Sequence, residues 1–422
     1  MFVEKSKRKC PTKIPEHWNK TTLGEVIQEI KNGFASGRRD KGGIVQIRMN
    51  NVTSDGHLIF DSLVKVPVPK YVDSWLLKKG DFLFNNTNSV ALVGKSAVFN
   101  EAPFPCTFSN HFTRIRFKLE FVLPEIVLYH FIMLWEQGYF KSVAIRHVGQ
   151  SAVHNHHLLD IQISLPPLFE QQKIVEIIST VDQAIQKVGQ AIEKTERLKK
   201  GLMQELLTKG IGHKEFKKTD SGVIPKTWEL KKLEEISVEF VSGGTPSTSK
   251  DEYWNGDIPW MTSAFITERE VKTGQRFITN EGLKKSATKI VPKNNLLVAT
   301  RVGIGKAAVN RIDIAISQDL TGIILDNNKA IPDFIYWHIV NSGKRLKSMA
   351  QGSTIKGILR EDLQKISIPL PPLPEQQKIA EILSSVDKRI ETLKKRKERL
   401  EKVKRGLMED LLTGKKRVKL ED

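Results

Sequence analysis

The sequence predicts an α+β protein with pseudo-twofold symmetry, in which two duplicated mixed α/β modules are separated by two long antiparallel coiled-coil helices. Two observations predict this fold class. Residues 166–208 and 371–413 of the 422-residue chain align over 43 residues without a gap, and both segments have the apolar spacing of a long helix. A weaker repeat connects the sequences that precede them, as expected of duplicated domains whose loops have diverged.

The two modules share an opening sequence and a mixed pattern of strands and helices. IPEHW, near the start of the chain, recurs 210 residues later as IPKTW. In each module, short β-rich runs alternate with Gly, Asn and Asp turns and are followed by an apolar helix, LPEIVLYHFI in the first and IPDFIYWHIV in the second. The expected boundaries are residues 1–165 for the first module, 166–209 for the first helix, 210–222 for an exposed linker, 223–370 for the second module, 371–413 for the second helix and 414–422 for a basic tail.

The two long helices carry the signals of a coiled coil. Glu170 and Glu375 lie in the first turn, where a helix N-terminus favours negative charge. From Ile174 to Ile192, apolar residues follow one another in steps of four and three, which is the spacing of a coiled-coil seam. Because such a narrow seam needs a cover and one helix follows each module, we expect the helices to pair antiparallel. The alternative is that each helix packs only on its own module.

The charge of the chain indicates a polyanionic partner. Lys and Arg total 67 against 48 Asp and Glu, a net charge of +19. Nucleic acid is favoured over a membrane, because no run of about 20 apolar residues is present. The start MFVEKSKRKC has no apolar signal-peptide core, and two cysteines, Cys10 and Cys106, cannot form a disulfide framework. We therefore expect a cytoplasmic protein without membrane contact.

Motifs for catalysis are weak or absent, so the sequence predicts a non-catalytic protein without a cofactor or a metal. Gly94-Lys95-Ser96 resembles the end of a phosphate-binding loop, but position 89 is Ser where that loop needs Gly. The cluster His147, His154, His156 and His157 has no histidine counterpart in the second module. The chain also lacks the Asn-Pro-Pro-aromatic or Asp-Pro-Pro-aromatic run with which amino-methyltransferases hold a base.

Cationic and amide side chains in the two modules favour contact with double-stranded DNA. Arg, Asn and Gln suit base edges in the major groove, whereas Lys, Ser and Thr suit phosphate. For any one of these residues, a solvated surface position is the alternative. The candidates are Arg38, Arg39, Asn88, Arg114 and Arg146 in the first module and Ser247, Lys250, Arg301, Lys306 and Lys356 in the second.

The two modules differ most where a DNA-reading loop is expected. GRRDKGG in the first module corresponds in position to GGTPSTSK in the second, and the two loops share almost nothing. Identical modules would read a palindrome, so divergent modules predict two unrelated half-sites with an unread gap between them.

The chain resembles the specificity subunits of type I restriction-modification systems from about residue 14 to residue 413. The resemblance is carried by the helix starts LPPLFEQQKI and PLPPLPEQQKI, the helix ends GLMQELLT and GLMEDLLT, and the IPxxW openings. It implies two target recognition domains that each read half of a split asymmetric DNA sequence, joined by two conserved helices that act as spacer and docking surface.

The same resemblance implies the partners. In this family one specificity subunit binds two methyltransferase subunits, which carry S-adenosylmethionine and methylate adenine at N6, and restriction subunits complete the nuclease. The residues it assigns to the conserved partner-facing regions are Glu170, Gln171, Gln172, Glu375, Gln376 and Gln377. The rival hypothesis is a coiled-coil adaptor or scaffold that does not bind DNA.

Overall fold

The computed structural model describes residues 15–350 and 357–418. The chain divides into two compact units. Unit 1 comprises Met1–Gly189 with Lys395–Asp422, and unit 2 comprises Gln190–Lys394. The division falls inside both long helices, Leu168–Leu206 and Leu373–Leu412, so each unit contains one module and part of each helix.

Unit 1 is built around an antiparallel sheet of four strands in the order Ile27–Asn32, Phe112–Phe117, Asp81–Asn85, Ser96–Phe99. Three smaller sheets accompany it: Val64–Val66, Ile44–Ile47 and Cys106–Phe108; Ile145–His147, Gln150–Ala152 and Thr87–Asn88; and Asn19–Thr22 with Gln162–Leu165. Its short helices are Leu23–Val26, Pro124–Glu136, Tyr139–Val143 and Asn155–Leu159, with 3-10 turns at Met49–Asn51 and Val72–Ser74. Apolar side chains of Pro124–Glu136 fill the core against the central sheet.

Unit 2 repeats this plan with a larger sheet. Five strands lie in the order Ser237–Ser242, Leu320–Leu325, Asn295–Ala299, Ala307–Asn310, Glu270–Val271. The others are Arg276–Ile278, Trp254–Met261, Ile314–Ile316 and Lys289–Val291 in one sheet, Glu229–Lys232 with Ser367–Leu370, and Phe216–Thr219 with Gly222–Pro225. The short helices are Asn280–Lys284, Pro332–Asn341, Gly343–Met349 and Arg360–Gln364, with 3-10 turns at Leu233–Ile236, Asp251–Tyr253 and Ser263–Phe265.

The antiparallel pairing of the long helices is confirmed within each unit. In unit 1, Ile174 and Ile178 share a core with Met408 and Leu411, so early residues of the first helix meet late residues of the second. In unit 2, Leu206 shares a core with Ile379 and Leu383 in the reciprocal arrangement. Both cores also contain module residues. The helices therefore cover one another and their own modules at the same time, which combines the two alternatives left open by the sequence.

The expected linker at residues 210–222 is only partly irregular. Phe216–Thr219 pairs with Gly222–Pro225 as an antiparallel hairpin. Gly222 has φ of 108°, a conformation that glycine adopts without strain, and the Thr219 hydroxyl donates to the carbonyl of Gly222 at 2.8 Å. The polar composition of residues 210–222 did not indicate that this segment contains part of a short hairpin. Among the described residues, no helix combines the length and the apolarity needed to cross a bilayer.

Candidate functional site

The start of the first long helix is anchored to its module by Glu170. Its carboxylate is fully buried and accepts a hydrogen bond from the indole Nε1 of Trp18 at 3.3 Å, while Arg417 donates from Nε at 3.3 Å and from Nη2 at 3.4 Å. The ring Nε2 of His17 lies 3.5 Å away. Because a buried carboxylate needs donors and counter-charge, this cluster satisfies Glu170 within the molecule.

Unit 2 repeats this anchor at Glu375. The indole Nε1 of Trp228 donates to Oε2 at 3.0 Å, and the amide of Ile211 donates to Oε1 at 2.9 Å. The ring Nε2 of His213 lies 2.8 Å from the same Oε1 atom. The Trp of each IPxxW opening and the Glu of each EQQ motif are therefore one structural pair, although they are separated by about 150 residues in the sequence.

The next residue, Gln171, holds the loop that precedes the apolar helix Pro124–Glu136. Its Nε2 donates to the carbonyls of Phe121 at 2.8 Å and Pro166 at 2.9 Å, and its Oε1 accepts from the amide of Leu123 at 2.9 Å. The amide side chain is completely buried, and all three bonds cross between the long helix and its module or the residues just before the helix. Such a network fixes the direction in which the long helix leaves the module.

Gln376 makes the same three bonds in unit 2. Its Nε2 donates to the carbonyls of Lys329 and Pro371, both at 2.9 Å, and its Oε1 accepts from the amide of Ile331 at 2.9 Å. Gln171 and Gln376 are equivalent in the repeat, and so are their partners. The repeated EQQ sequence thus encodes the junction between module and helix.

This geometry corrects the expectation that the EQQ residues face a partner subunit. Glu170, Gln171 and Gln376 are buried, Glu375 is mostly covered, and all four have internal hydrogen-bond partners. Only Gln172 and Gln377 are exposed, and the Nε2 of Gln377 donates to Glu381 on its own helix at 2.7 Å. Sequence reasoning missed the anchor because its partners lie far away along the chain. The joint repetition of IPxxW and EQQ was the signal available.

Three of the DNA-contact candidates of the first module are exposed. Arg38 and Arg39 lie in the irregular loop between the strands Ile27–Asn32 and Ile44–Ile47, and Arg146 lies in the strand Ile145–His147. None of the three is buried by the rest of the described chain. Their guanidinium groups are therefore placed where a polyanion could reach them.

The other two candidates of this module have internal roles, which corrects the expectation for them. Arg114 is 1% exposed, forms an ion pair with Glu29 and lies over the ring of Phe108 at 5.5 Å. Burial lowers the pKa of its guanidinium from the ordinary value. Asn88 is also buried. Its Nδ2 donates to Oδ1 of Asn85 at 2.7 Å, and its Oδ1 accepts from the amide of Ser89 at 2.8 Å.

Asn86, two residues before Asn88, belongs to a polar network centred on Thr113 that joins several segments of the unit. The Thr113 hydroxyl donates to Oδ1 of Asn32 at 2.8 Å and lies 3.1 Å from Oδ1 of Asn155. Nδ2 of Asn86 donates to the same hydroxyl at 3.0 Å. Asn32 begins the loop that carries Arg38 and Arg39. The amide-rich run of the first module therefore positions the loops that carry the exposed cations.

Arg301 is an exposed candidate of unit 2. It lies in the loop between the strands Asn295–Ala299 and Ala307–Asn310, with Val302 beside it at 55% exposure. Ser247 and Lys250 are also exposed, and Lys250 donates from Nζ to the hydroxyl of Tyr253 at 3.2 Å. Lys356 lies outside the described residues.

The Gly-Lys steps support a turn in both units. The Nζ of buried Lys95 donates to the carbonyl of Met49 at 3.2 Å and to that of Val52, at the 3-10 turn Met49–Asn51. Burial lowers the pKa of this ammonium. Lys306 donates from Nζ to the carbonyl of Ile266 at 3.4 Å, next to the turn Ser263–Phe265, although its side chain stays exposed. Lys95 binds backbone carbonyls, and a phosphate-binding role does not fit that environment.

The histidine cluster forms ring contacts and no metal centre within the described chain. The rings of His154 and His156 stack with their centroids 5.8 Å apart, and those of His156 and His157 lie 4.0 Å apart. Burial and the neighbouring histidines lower the pKa of His157. No group of three or more His, Cys, Asp or Glu residues in the part of the chain that the structure describes could hold a metal ion.

Duplicated modules with exposed cations, joined to paired helices through repeated anchors, define a recognition protein. The sequence matches the type I restriction modification DNA specificity domain twice, over residues 15–197 and 225–402. The chain belongs to this family, as a specificity subunit of a type I restriction-modification system that recognises DNA sequence. Specificity subunits are non-catalytic components that work with methylase and restriction subunits.

Two relatives come from Methanocaldococcus jannaschii. The MjaX specificity subunit is 31% identical over 411 residues, which covers 96% of this chain and 95% of that protein. The type I restriction enzyme MjaVIII specificity subunit is 28% identical over 429 residues, with the same coverage of 96% and 95%. The fold is similar to the crystal structure of a type I restriction-modification S subunit from M. genitalium, with a TM-score of 0.59 at 14% identity over 96% of this chain and 98% of that one.

Proposed function

We propose that this subunit reads a bipartite, asymmetric DNA target, with one half-site for the module of each unit. The observation that carries the proposal is the difference between equivalent loops on a repeated framework. The Trp–Glu pair of the anchor recurs at Glu170 and Glu375, whereas the loops at residues 37–43 and 243–250 share almost no sequence. Selection that preserved the framework and varied the loops would produce two readers with different base preferences.

The proposed DNA contacts are the exposed cationic and hydroxyl side chains of these loops. Arginine recognises guanine with two hydrogen bonds and lysine contacts phosphate, so Arg38, Arg39, Arg146 and Arg301 are proposed for base or phosphate contact. Ser247, Lys250 and Lys306 are exposed and are proposed for phosphate. Lys356 remains a proposal made from the sequence alone. The buried side chains Asn88 and Arg114 are not included.

The proposed protein partners are two adenine-N6 methyltransferase subunits, with restriction subunits in the full complex. They would meet the exposed faces of the long helices, where Gln172 and Gln377 are accessible next to the buried anchors. The repetition of EQQKI at both helix starts supports two equivalent docking sites, one near each anchor. The expected setting is the cytoplasm, where cellular DNA is available.

Mapping of N6-methyladenine tests this proposal. DNA would be sequenced from cells that express the methyltransferase subunit with and without this chain. The proposal predicts methylation at a split motif only when the chain is present, with two unrelated halves and a constant gap. Unchanged methylation despite formation of the complex would contradict it. A short continuous motif would contradict the bipartite part of the proposal alone.

A further inference from the structure

A hairpin at the edge of a three-stranded sheet in unit 1, here called the ribbon, has an apolar side chain at its tip. The strands Ile145–His147 and Gln150–Ala152 pair antiparallel, with His147 opposite Gln150. Val148 and Gly149 form the turn, and Gly149 has φ of 79°, which glycine adopts without strain. Val148 is fully exposed, at 106% of its reference accessibility, so its side chain is covered by nothing in the described chain.

The turn itself does not require a valine. Its left-handed position is Gly149, and Val148 occupies a position without positive φ that a polar residue could also adopt. Val148 contributes no hydrogen bond to the turn and exposes its methyl groups to water. Exposed Arg146, His147 and Gln150 flank it, and Ile145 at the base of the ribbon is 45% exposed. The tip is thus a small apolar surface with polar and cationic residues next to it along the chain.

The base of the ribbon is fixed to the module. Ser151 pairs with Asn88 and Ala152 pairs with Thr87 in the adjoining strand, and the amide of Val153 donates to the carbonyl of Asn86 at 2.9 Å. Asn86 in turn contacts Thr113, the centre of the polar network described above. A ribbon held in this way presents its tip in a defined direction, which is what sequence-specific contact requires.

We propose that this ribbon enters the major groove of the half-site read by unit 1, and that Val148 contacts the 5-methyl group of a thymine. The proposal rests on the proposed function. The major groove of B-DNA is wide enough for a two-stranded β-ribbon, and the thymine methyl is the apolar group on its floor. Arg146 and Gln150 lie beside Val148 and reach base edges next to that thymine.

The surroundings of Val148 favour DNA over an apolar protein surface as its partner. Arg146 lies two residues before the tip, and the chain as a whole has a net charge of +19. A patch of one valine is far smaller than the apolar centre of a protein interface. A single methyl contact in a cationic ribbon is instead typical of base recognition.

Replacement of thymine by deoxyuridine tests the contact directly, because it removes the methyl group and keeps every hydrogen-bonding group. The full chain, in complex with its methyltransferase subunits, would be titrated with duplexes that carry the mapped target. Each thymine would be replaced in turn. We expect about fourfold weaker binding at one thymine of the half-site assigned to unit 1, the size expected for one buried methyl group.

Val148→Ala should reduce this discrimination, because alanine keeps only one methyl group. The unfolding midpoint should not change, since the side chain is covered by nothing in the described chain. Val238→Ala, at a valine that is 72% exposed in unit 2, is the matched control and should discriminate thymine from deoxyuridine as the wild type does. Thymines of the other half-site provide a control within the same duplex.

Two results would overturn the ribbon proposal and leave the proposed function intact. One is a wild-type protein that tolerates deoxyuridine at every position of a split motif. The other is a Val148→Ala variant that discriminates as strongly as the wild type. If no specific target is found, both proposals fail.

Discussion

Gln171→Glu should destabilise unit 1 far more than the same change at its neighbour Gln172. In the wild type, Nε2 of Gln171 donates to the carbonyls of Phe121 and Pro166, and Oε1 accepts from the amide of Leu123. A carboxylate keeps the acceptor and removes both donors. An unsatisfied buried acceptor costs roughly 1–3 kcal/mol. Because two carbonyls lose their donor, the lost hydrogen bonds alone should cost about 3 kcal/mol.

The buried carboxylate also gives this variant a dependence on pH. Burial raises the folded-state pKa of the new carboxyl above its unfolded value of about 4.3. The charge penalty is therefore absent below the unfolded pKa and grows as pH rises through the folded pKa. Gln171→Glu should lose stability between acidic and neutral pH relative to the wild type, in addition to its loss of hydrogen bonds.

Two measurements test this prediction: the free energy of unfolding in urea, and the rate of amide hydrogen exchange. Exchange at the amide of Leu123, which donates to Oε1 of Gln171, should accelerate because loss of the two Nε2 bonds makes the junction open more often. Gln172→Glu is the matched control, since Gln172 is exposed and negative charge in the first turn of a helix is favourable. Its stability should change by less than about 0.5 kcal/mol. Equal midpoints for the two variants, with unchanged exchange at Leu123, would refute the anchor.

Three further predictions concern the helix pair, the DNA surface and the buried thiol. Lys404→Met should cost about 3 kcal/mol, because it leaves buried Asp182 without the ammonium that lies 2.6 Å away. Adding Asp182→Leu to Lys404→Met should restore most of the lost free energy of unfolding, as measured by a double-mutant cycle in urea. A double variant that is no more stable than Lys404→Met would contradict this prediction. Arg301→Ala should weaken DNA binding of the complex by about 1–3 kcal/mol if it contacts a base, with relaxed preference at one base pair; unchanged affinity and preference would exclude Arg301 as a reader. Burial raises the pKa of Cys106 to about 11 from 9.0, so in a Cys10→Ser background alkylation at pH 9 should be slow until the protein unfolds. Stability should fall as pH rises from about 9 to about 11, because the unfolded thiol ionises first, and a flat profile would argue against burial of the thiol.

Structural features that follow from a repeat in the sequence could be predicted from the sequence alone. The seam from Ile174 to Ile192 repeats every three and four residues, and its burial in the structure follows that repeat. The 43-residue duplication also predicted a reciprocal, antiparallel arrangement. Periodicity and duplication are visible in a sequence because they depend only on spacing along the chain.

Features that depend on distant partners could not be predicted in the same way. Glu170 and Gln171 resemble exposed residues of a helix start, and only contacts with Trp18 and Leu123 reveal that they are buried. Arg114 resembled a basic strand residue available for DNA, whereas its charge is balanced by Glu29, 85 positions away. In both cases a polar side chain is buried because its hydrogen-bond or ion-pair partner comes from a distant part of the sequence. The residues next to it along the chain do not reveal that partner.

Exchange of one module tests most directly the claim that each module reads its own half-site. Residues 225–370 would be replaced by the corresponding module of a related specificity subunit, and N6-methyladenine would be mapped in cells that also express the methyltransferase subunit. The account predicts that one half of the split motif changes while the other half stays the same. A change in both halves of the motif would contradict the account. So would an unchanged motif, provided that the exchanged chain still forms the complex.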